Sequence, residues 1–413
     1  MAILLVNPSF EGLVSKKGRL YNWHFPPLDL LNISAILKGL GKRTKVLDLR
    51  VRPLADDELT KEFDAAEKVI LTSSPLDRWQ CPNLDLEPVF RLASLVRDKS
   101  KLILIGAHGT KRTGAATVIE GEPEGKISAL FGGKELRFEE FPVPDYGAVS
   151  IKDYRYELLG GDFALLQFSR GCPFDCIFCL KKMYGDGYRM KSPDKFINEI
   201  EYVVRDIRAR SVYFYDLTFT AHRPSVLEIC WLIKERGLKF DWCCQTRAEM
   251  VDEELLREMR AAGCKLIHFG VESGSEKVSK SLDKRIDIQQ IKKGVALAKR
   301  AGIPVACFFM FGFPGEKLSD MEKTIDLAVA LDPDYASFHI AIPYPGTKFH
   351  QLASMAEECP EMYNKEVPSD ELRAISRKAF MKFYLRPRYI LKKMFTRPAE
   401  LASKVRLFLD FIK

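Results

Sequence analysis

Short apolar runs alternate with amphipathic stretches along most of the chain, in two series separated by a break, and this pattern predicts parallel β-sheets covered by helices. Residues 1 to about 130 run AILLVN, Leu28 to Leu40, TKVLDL, KVILTSS, Leu84 to Val96, KLILIGA and TVIEG. This is the order of a Rossmann-like open sheet with helices on both faces. Such sheets bind ligands at the carboxyl ends of their strands, here marked by Asn7-Pro8, Ser73-Ser74, Gly106-Ala107-His108 and Gly121-Glu122. Residues 131–160 form a linker with Gly132-Gly133, Pro142, Pro144 and Gly160-Gly161. From 161 to 355 the strand candidates FALLQF, VYFYD, FDWCCQ, LIHFGV, VACFFMF and ASFHIAI are separated by helical patterns. Pro193 to Arg208, Pro224 to Arg236, Asp252 to Ala262, Ile288 to Ala301 and Ser319 to Leu331 carry those patterns, and six such units predict a partial (βα)6 barrel. Residues 356–413 read as a helical basic region.

Directly after the first strand of the second series, RGCPFDCIFC places Cys172, Cys176 and Cys179 at gaps of three and two, with Phe178 beside the last. Three thiolates on one loop can hold three irons of a [4Fe–4S] cluster and leave the fourth iron open. A structural zinc is the alternative, but zinc takes four protein ligands in paired sets, and no second pair lies nearby.

The chain opens directly on MAILLVN, so no signal peptide is expected, and ten unevenly spaced cysteines in 413 residues suit a reducing, cytoplasmic compartment. The strongly apolar stretch Ile303 to Pro314 is shorter than the ~20 residues of a bilayer span and contains Pro304 and Gly312, so no transmembrane helix is expected. Of the net charge of +8, residues 371–413 carry twelve Lys/Arg against three Asp/Glu, which leaves the first 370 residues close to neutral.

The segment from about 163 to 350 resembles the radical S-adenosylmethionine (SAM) core of the cobalamin-binding class, with YDLTFT, TRAEMVDEELLREMRAAGC, FGVESGSE and FGFPGE following the cysteine motif in family order. The segment 1 to 130 resembles that class's B12-binding domain through NPSF, PPLDLLNISAILKGLG, VLDLR, the strand into SSP, IGAHGT and IEGEPEG. The resemblance implies a [4Fe–4S] cluster on Cys172, Cys176 and Cys179. It implies SAM contacts from Phe178, Asp216, Arg247, Glu272, Ser273, Gly312 and Pro314, all in loops after consecutive strands. Cobalamin would lie against Ser73, Ser74, Gly106, His108, Gly121 and Glu122. The pattern DxHxxG is absent, since Asp48-Leu49-Arg50 contains no histidine, so any cobalamin would lack that axial ligand. His108 reads as a loop hydrogen-bonder rather than a cobalt ligand. A degenerate domain that only shapes the active site is the alternative to cobalamin binding.

The activity so implied is reductive cleavage of SAM and modification of an unactivated C–H position, with cobalamin-dependent C-methylation of a small or lipid-like substrate as the leading expectation. A cobalamin-free rearrangement or cyclisation and a tRNA modification are the alternatives. The electron would come from a donor such as flavodoxin or ferredoxin. Methylthiotransferases are disfavoured because only Cys81 precedes the motif, and auxiliary-cluster enzymes because only Cys359 follows Cys307. Cys230, Cys243, Cys244, Cys264 and Cys307 read as small buried hydrophobes. Trp79, Gln80 and Cys81 form a loop that would either lie over a ligand or pack a domain interface. The stretch FMKFYLRPRYILKKMF, Phe380 to Phe395, suits an amphipathic element at an anionic membrane surface, an RNA-binding helix, or a solvated helix packed on the barrel. Nucleic acid is the least expected partner. Pro387 and Pro398 would break this stretch into short pieces.

Overall fold

The structure is a computed structural model that describes residues 1–9, 24–73, 85–156, 158–185, 187–353 and 364–396. The first series folds as β1 (Ile3–Asn7), α1 (Leu28–Gly39), β2 (Thr44–Asp48), α2 (Asp56–Ala65), β3 (Lys68–Thr72), α3 (Glu87–Leu95), β4 (Leu102–Gly106), β5 (Thr117–Glu120) and α4 (Glu124–Leu130). All five strands are parallel, in the order β2-β1-β3-β4-β5. Because side chains alternate across a strand, one face of the sheet gathers Leu4, Val6, Val69, Leu71, Leu102 and Leu104 against α2 and α3. The other gathers Ile3, Leu5, Ile70, Ile103 and Ile105 against α1 and α4. Burial on both faces explains why these strands read as unbroken apolar runs.

The second series adds β6 (Phe163–Leu166), β7 (Ser169–Arg170), β8 (Arg189–Met190), α5 (Pro193–Glu201), β9 (Ser211–Phe214), α6 (Arg223–Glu235), β10 (Asp241–Thr246), α7 (Glu253–Ala261) and β11 (Cys264–Glu272). It continues with α8 (Glu276–Ser281), α9 (Ile288–Arg300), β12 (Val305–Phe311), α10 (Leu318–Leu331), β13 (Tyr335–Ile340), α11 (Lys348–Ala353), α12 (Ser369–Tyr384) and α13 (Pro387–Thr396). Six strands form one parallel sheet, β13-β12-β11-β10-β9-β6. Its outer face packs on α5, α6, α7 and α9 through Val212, Phe214, Cys244, Ile267, Phe269, Cys307 and Phe309. Its inner face carries Leu165, Tyr213, Tyr215, Cys243, Leu266, Ala306 and Tyr335. Cys230, Cys243, Cys244, Cys264 and Cys307 are all buried within these layers.

The sheet does not close, and each of its two edge strands is capped by a tyrosine hydroxyl. From the linker, Tyr146 accepts the Leu165 N–H and donates to the Leu165 carbonyl, both at 2.7 Å. From α12, Tyr384 accepts the Ala336 N–H at 3.0 Å and donates to the Ala336 carbonyl at 2.7 Å. These bonds satisfy edge groups that would otherwise be open to another strand.

The helical stretch expected from Pro193 to Arg208 forms α5 and continues as a π-helical turn over Tyr202–Asp206. The basic C-terminal stretch does break at Pro387, between α12 and α13. Three of its cations and Lys378 just before it pair with carboxylates on and just after α10: Lys378 with Glu322, Lys382 with Asp326 (2.7 Å), Arg386 with Asp332 (2.9 Å) and Lys392 with Asp334 (3.0 Å). Beneath them Leu372, Ile375 and Ala379 join Phe311, Met321 and Ile325. Among the described residues, no helix is long and apolar enough to cross a membrane.

Candidate active site

The cysteine loop hangs between β7 and β8, a two-residue antiparallel hairpin in which Ser169 faces Met190 and Arg170 faces Arg189. Gly171 opens it at φ +82, where an added Cβ would sit 1.9 Å from the Gly187 carbonyl oxygen, so only glycine fits. Further along, the Ile177 N–H donates to the Leu282 carbonyl at 3.1 Å and its own carbonyl accepts from Phe349 N–H at 2.9 Å. Cys172, Cys176 and Cys179 are all half-buried. No trio of His, Cys, Asp or Glu among the described residues is close enough to hold a single metal ion. Three thiols on one fixed loop suit a multi-iron cluster, whose separate irons each take one sulfur.

Side chains from successive strand ends surround this loop. The Thr218 hydroxyl, after β9, is 3.5 Å from Cys172 Sγ. Arg247, after β10, directs Nη1 to Cys176 Sγ at 3.8 Å and stacks over the Phe174 ring at 3.8 Å. Its other nitrogens bond Glu249 and the Lys284 carbonyl. Glu272, at the end of β11, adopts φ +66 where the β11–β12 register slips between Gly270 and Glu272. This bulge turns its carboxylate onto Lys284 Nζ, 2.8 Å away. Burial pushes the Cys176 thiol up, against the pull of Lys284 and Arg247.

Other expected contacts lie deeper. Asp216 is fully buried and accepts from Phe168 N–H (3.3 Å), Ser169 N–H and the Ser169 hydroxyl (2.5 Å), which ties β9 to the entry of the cysteine loop. Burial raises its carboxyl to about 6. Ser273 is also fully buried, with its hydroxyl 3.3 Å from that of Thr324 and accepting from Ser275 N–H. Gly312, at φ +93, and Phe313 both donate their N–H groups to Glu316, fixing the turn that carries Pro314. Burial lifts the Glu316 carboxyl to about 7. Phe178 packs against Phe313 with ring centroids 5.4 Å apart.

In the first domain, Ser73 is buried, donating to the Ile105 carbonyl at 3.0 Å and accepting from His108 N–H at 3.2 Å. Gly106 (φ +113) and Gly121 (φ +85) make the adjacent turns. Ser74, with Trp79, Gln80 and Cys81, lies outside the described residues. Asp48 does not present an open position: Arg50 Nη2 closes on it at 2.6 Å and the Tyr154 hydroxyl donates to it at 3.1 Å.

Glu122 reaches across to the second domain. Its carboxylate takes Arg170 at 2.9 Å and Arg189 at 2.8 Å, while Glu124 takes Arg170 at 2.8 Å. The Arg170 side chain is fully buried, two residues before Cys172, and lies over the rings of Phe138 and Phe141 from the linker. The carboxyl ends of the two sheets therefore meet at the cysteine loop. Sequence reasoning gave no role to Arg170, Lys284 or Tyr146. Arg170 adjoins the motif, which is a signal of sorts, but its carboxylate partners are more than forty residues away in sequence.

Inside the barrel, Tyr156 stacks on Tyr213 (5.7 Å, 24°) and its hydroxyl meets His268 Nε2 at 3.1 Å. Burial drops His268 to about 3, and its Nδ1 has no partner among the described residues. This aromatic layer closes the inner face below the strand ends.

A model of the radical SAM superfamily matches residues 166–328. An uncharacterised methyltransferase of Pyrococcus horikoshii is 27% identical to the chain, over 96% of this chain and 95% of its own length. The anaerobic magnesium-protoporphyrin IX monomethyl ester cyclase of Rubrivivax gelatinosus is 29% identical over 60% of this chain, which spans 45% of the cyclase. Among solved structures, the radical SAM methyltransferase TsrM from Kitasatospora setae, with cobalamin and a [4Fe–4S] cluster bound, superposes with a TM-score of 0.64 at 17% identity, covering 82% of this chain and 75% of its own. The cobalamin-dependent radical SAM enzyme OxsB, with aqua-cobalamin and SAM bound, gives 0.68 at 14% identity, covering 99% and 70%. Residues 166–328 are a radical SAM domain, and the chain is an enzyme. With its first domain the chain has the fold seen in those two cobalamin-bound structures.

Proposed function

We propose that this enzyme binds a [4Fe–4S] cluster on Cys172, Cys176 and Cys179, SAM beside it and cobalamin on the first domain, and methylates an unactivated carbon of a small or lipid-like substrate. The observation that carries the reading is the meeting of the two sheet ends at the cysteine loop through Arg170, Glu122 and Glu124. It brings the ligand-binding edge of an open parallel sheet against the mouth of the barrel. When bound, the cluster supplies the electron that cleaves SAM to a carbon radical, which takes a hydrogen atom from the substrate, and cobalamin supplies the methyl group. The protein's own residues hold and exclude. Arg247 offers a fixed cation and Glu272 a fixed anion for the carboxylate and ammonium of SAM, with Phe178 and the turn through Gly312 and Pro314 as walls. Gly106, His108, Gly121 and Glu122 line the cobalamin side, with Ser73 fixing the His108 backbone and Asp216 and Ser273 supporting the opposite rim. The layer of Tyr156, Tyr213 and His268 keeps water from the floor. An external donor of the flavodoxin or ferredoxin type delivers the electron.

Anaerobic reconstitution with iron, sulfide and hydroxocobalamin tests the reading. About four irons per chain together with cobalt retained on desalting support it; a variant with all three motif cysteines changed to Ala should lose the iron and keep the cobalt. Iron without cobalt would leave a radical rearrangement as the activity. In the C-terminal region, Leu385, Leu391, Met394 and Phe395 are 47%, 54%, 51% and 85% exposed. They support a shallow contact with a lipid surface, which co-sedimentation with anionic vesicles would detect.

A further inference from the structure

We infer that Thr218 and Arg247 set the reduction potential of the cluster by donating hydrogen bonds to two of its three sulfur ligands. The inference rests on the cluster reading above. Thr218 is 2% exposed and its hydroxyl lies 3.5 Å from Cys172 Sγ. A metal-bound cysteine is a thiolate with no proton, so in this pair only the threonine can donate. Arg247 is 6% exposed, with Nη1 3.8 Å from Cys176 Sγ. Its guanidinium cannot swing away: Glu249 holds Nε, the Lys284 carbonyl holds Nη2, and the Phe174 ring covers one face. One donor is neutral and one is charged, and they follow adjacent strands, β9 and β10.

Reduction adds one electron to the cluster and makes no bond, so its cost is that of one more negative charge in a half-buried site. Hydrogen bonds to the cysteine sulfurs and a nearby cation stabilise the reduced form more than the oxidised one, and this raises the potential. The charged donor acts more strongly than the hydroxyl. The strand ends thereby make the cluster easier for an outside donor to reduce.

The test is an anaerobic redox titration of the full-length, iron-reconstituted protein, read by the electron paramagnetic resonance of the reduced cluster, with dithionite as the final reductant. Thr218→Val, of nearly equal shape, should bind the same amount of iron and shift the midpoint to more negative potential. Thr218→Ser should restore it. Arg247→Met should shift it further in the same direction, with Arg247→Lys in between. An unchanged midpoint in fully loaded Thr218→Val and Arg247→Met overturns the inference while leaving the cluster reading intact. A wild-type protein that takes up no iron overturns both.

Discussion

Arg170 illustrates how much one buried charge can control. Two carboxylates from the first domain and Gln167 hold its guanidinium, and its side chain is fully buried. Replacing one partner of such a group leaves the others uncompensated in a poorly polarisable site, at a cost of about 3–5 kcal/mol. Arg170→Gln should therefore lower stability by that order in urea titrations and release iron faster to a chelator. Gly171→Ala should retain the fold of both sheets by circular dichroism yet bind little iron, because its methyl group would collide with the Gly187 carbonyl and displace the loop. His268 gives a pH signature. Its folded value is depressed from 6.5 to about 3, so the neutral ring favours the fold above pH 6.5, and that contribution is lost as the pH falls toward 3. Relative to His268→Phe, the wild type should lose stability across this window by about 1.4 kcal/mol per pH unit, against the opposite trend set by the raised carboxyls of Asp216 and Glu316.

At the scale of elements, strand and helix positions were legible because periodicity is a local property. The runs AILLVN and KLILIG became β1 and β4 buried on both faces, and the helix break at Pro387 followed from the chemistry of proline. What the pattern did not show was how the barrel's edges are satisfied. Tyr146 and Tyr384 each serve both polar groups of one edge residue, from segments that are not strands and have no shared motif. Tyr146→Phe and Tyr384→Phe should each cost about 1–3 kcal/mol, as expected for stranding buried backbone groups, and hydrogen exchange should quicken at Leu165 or Ala336 respectively. The bulge before Glu272 was likewise hidden: a register slip depends on the neighbouring strand, and only its result, a non-glycine residue at φ +66, marks the place. The basic stretch of α12 and α13 left a membrane element, an RNA-binding helix and a helix packed on the barrel as readings. In the structure four cations of this region fasten it to carboxylates on and just after α10.

For the whole molecule, function depends on two sheets that share one loop. Since Glu122 lies just after β5 and Arg170 at the head of the cysteine loop, this ion pair would couple a ligand on the first sheet's edge to the cysteines, and the reverse by linkage. Cobalamin should slow iron loss to a chelator in the wild type, and Glu122→Gln should weaken that protection while leaving initial iron loading unchanged. The sequence alone determined the two parallel sheets and the three-cysteine loop after β6, since side-chain period and ligand spacing are written within a few residues of each other. Only the tertiary structure decided which loop residues face the cysteines and which lie beneath, as with Thr218 against Asp216. It also decided that Arg170 joins the domains, because those outcomes depend on which distant side chains share a dry interior, and burial, not residue type, makes a charge or hydroxyl consequential.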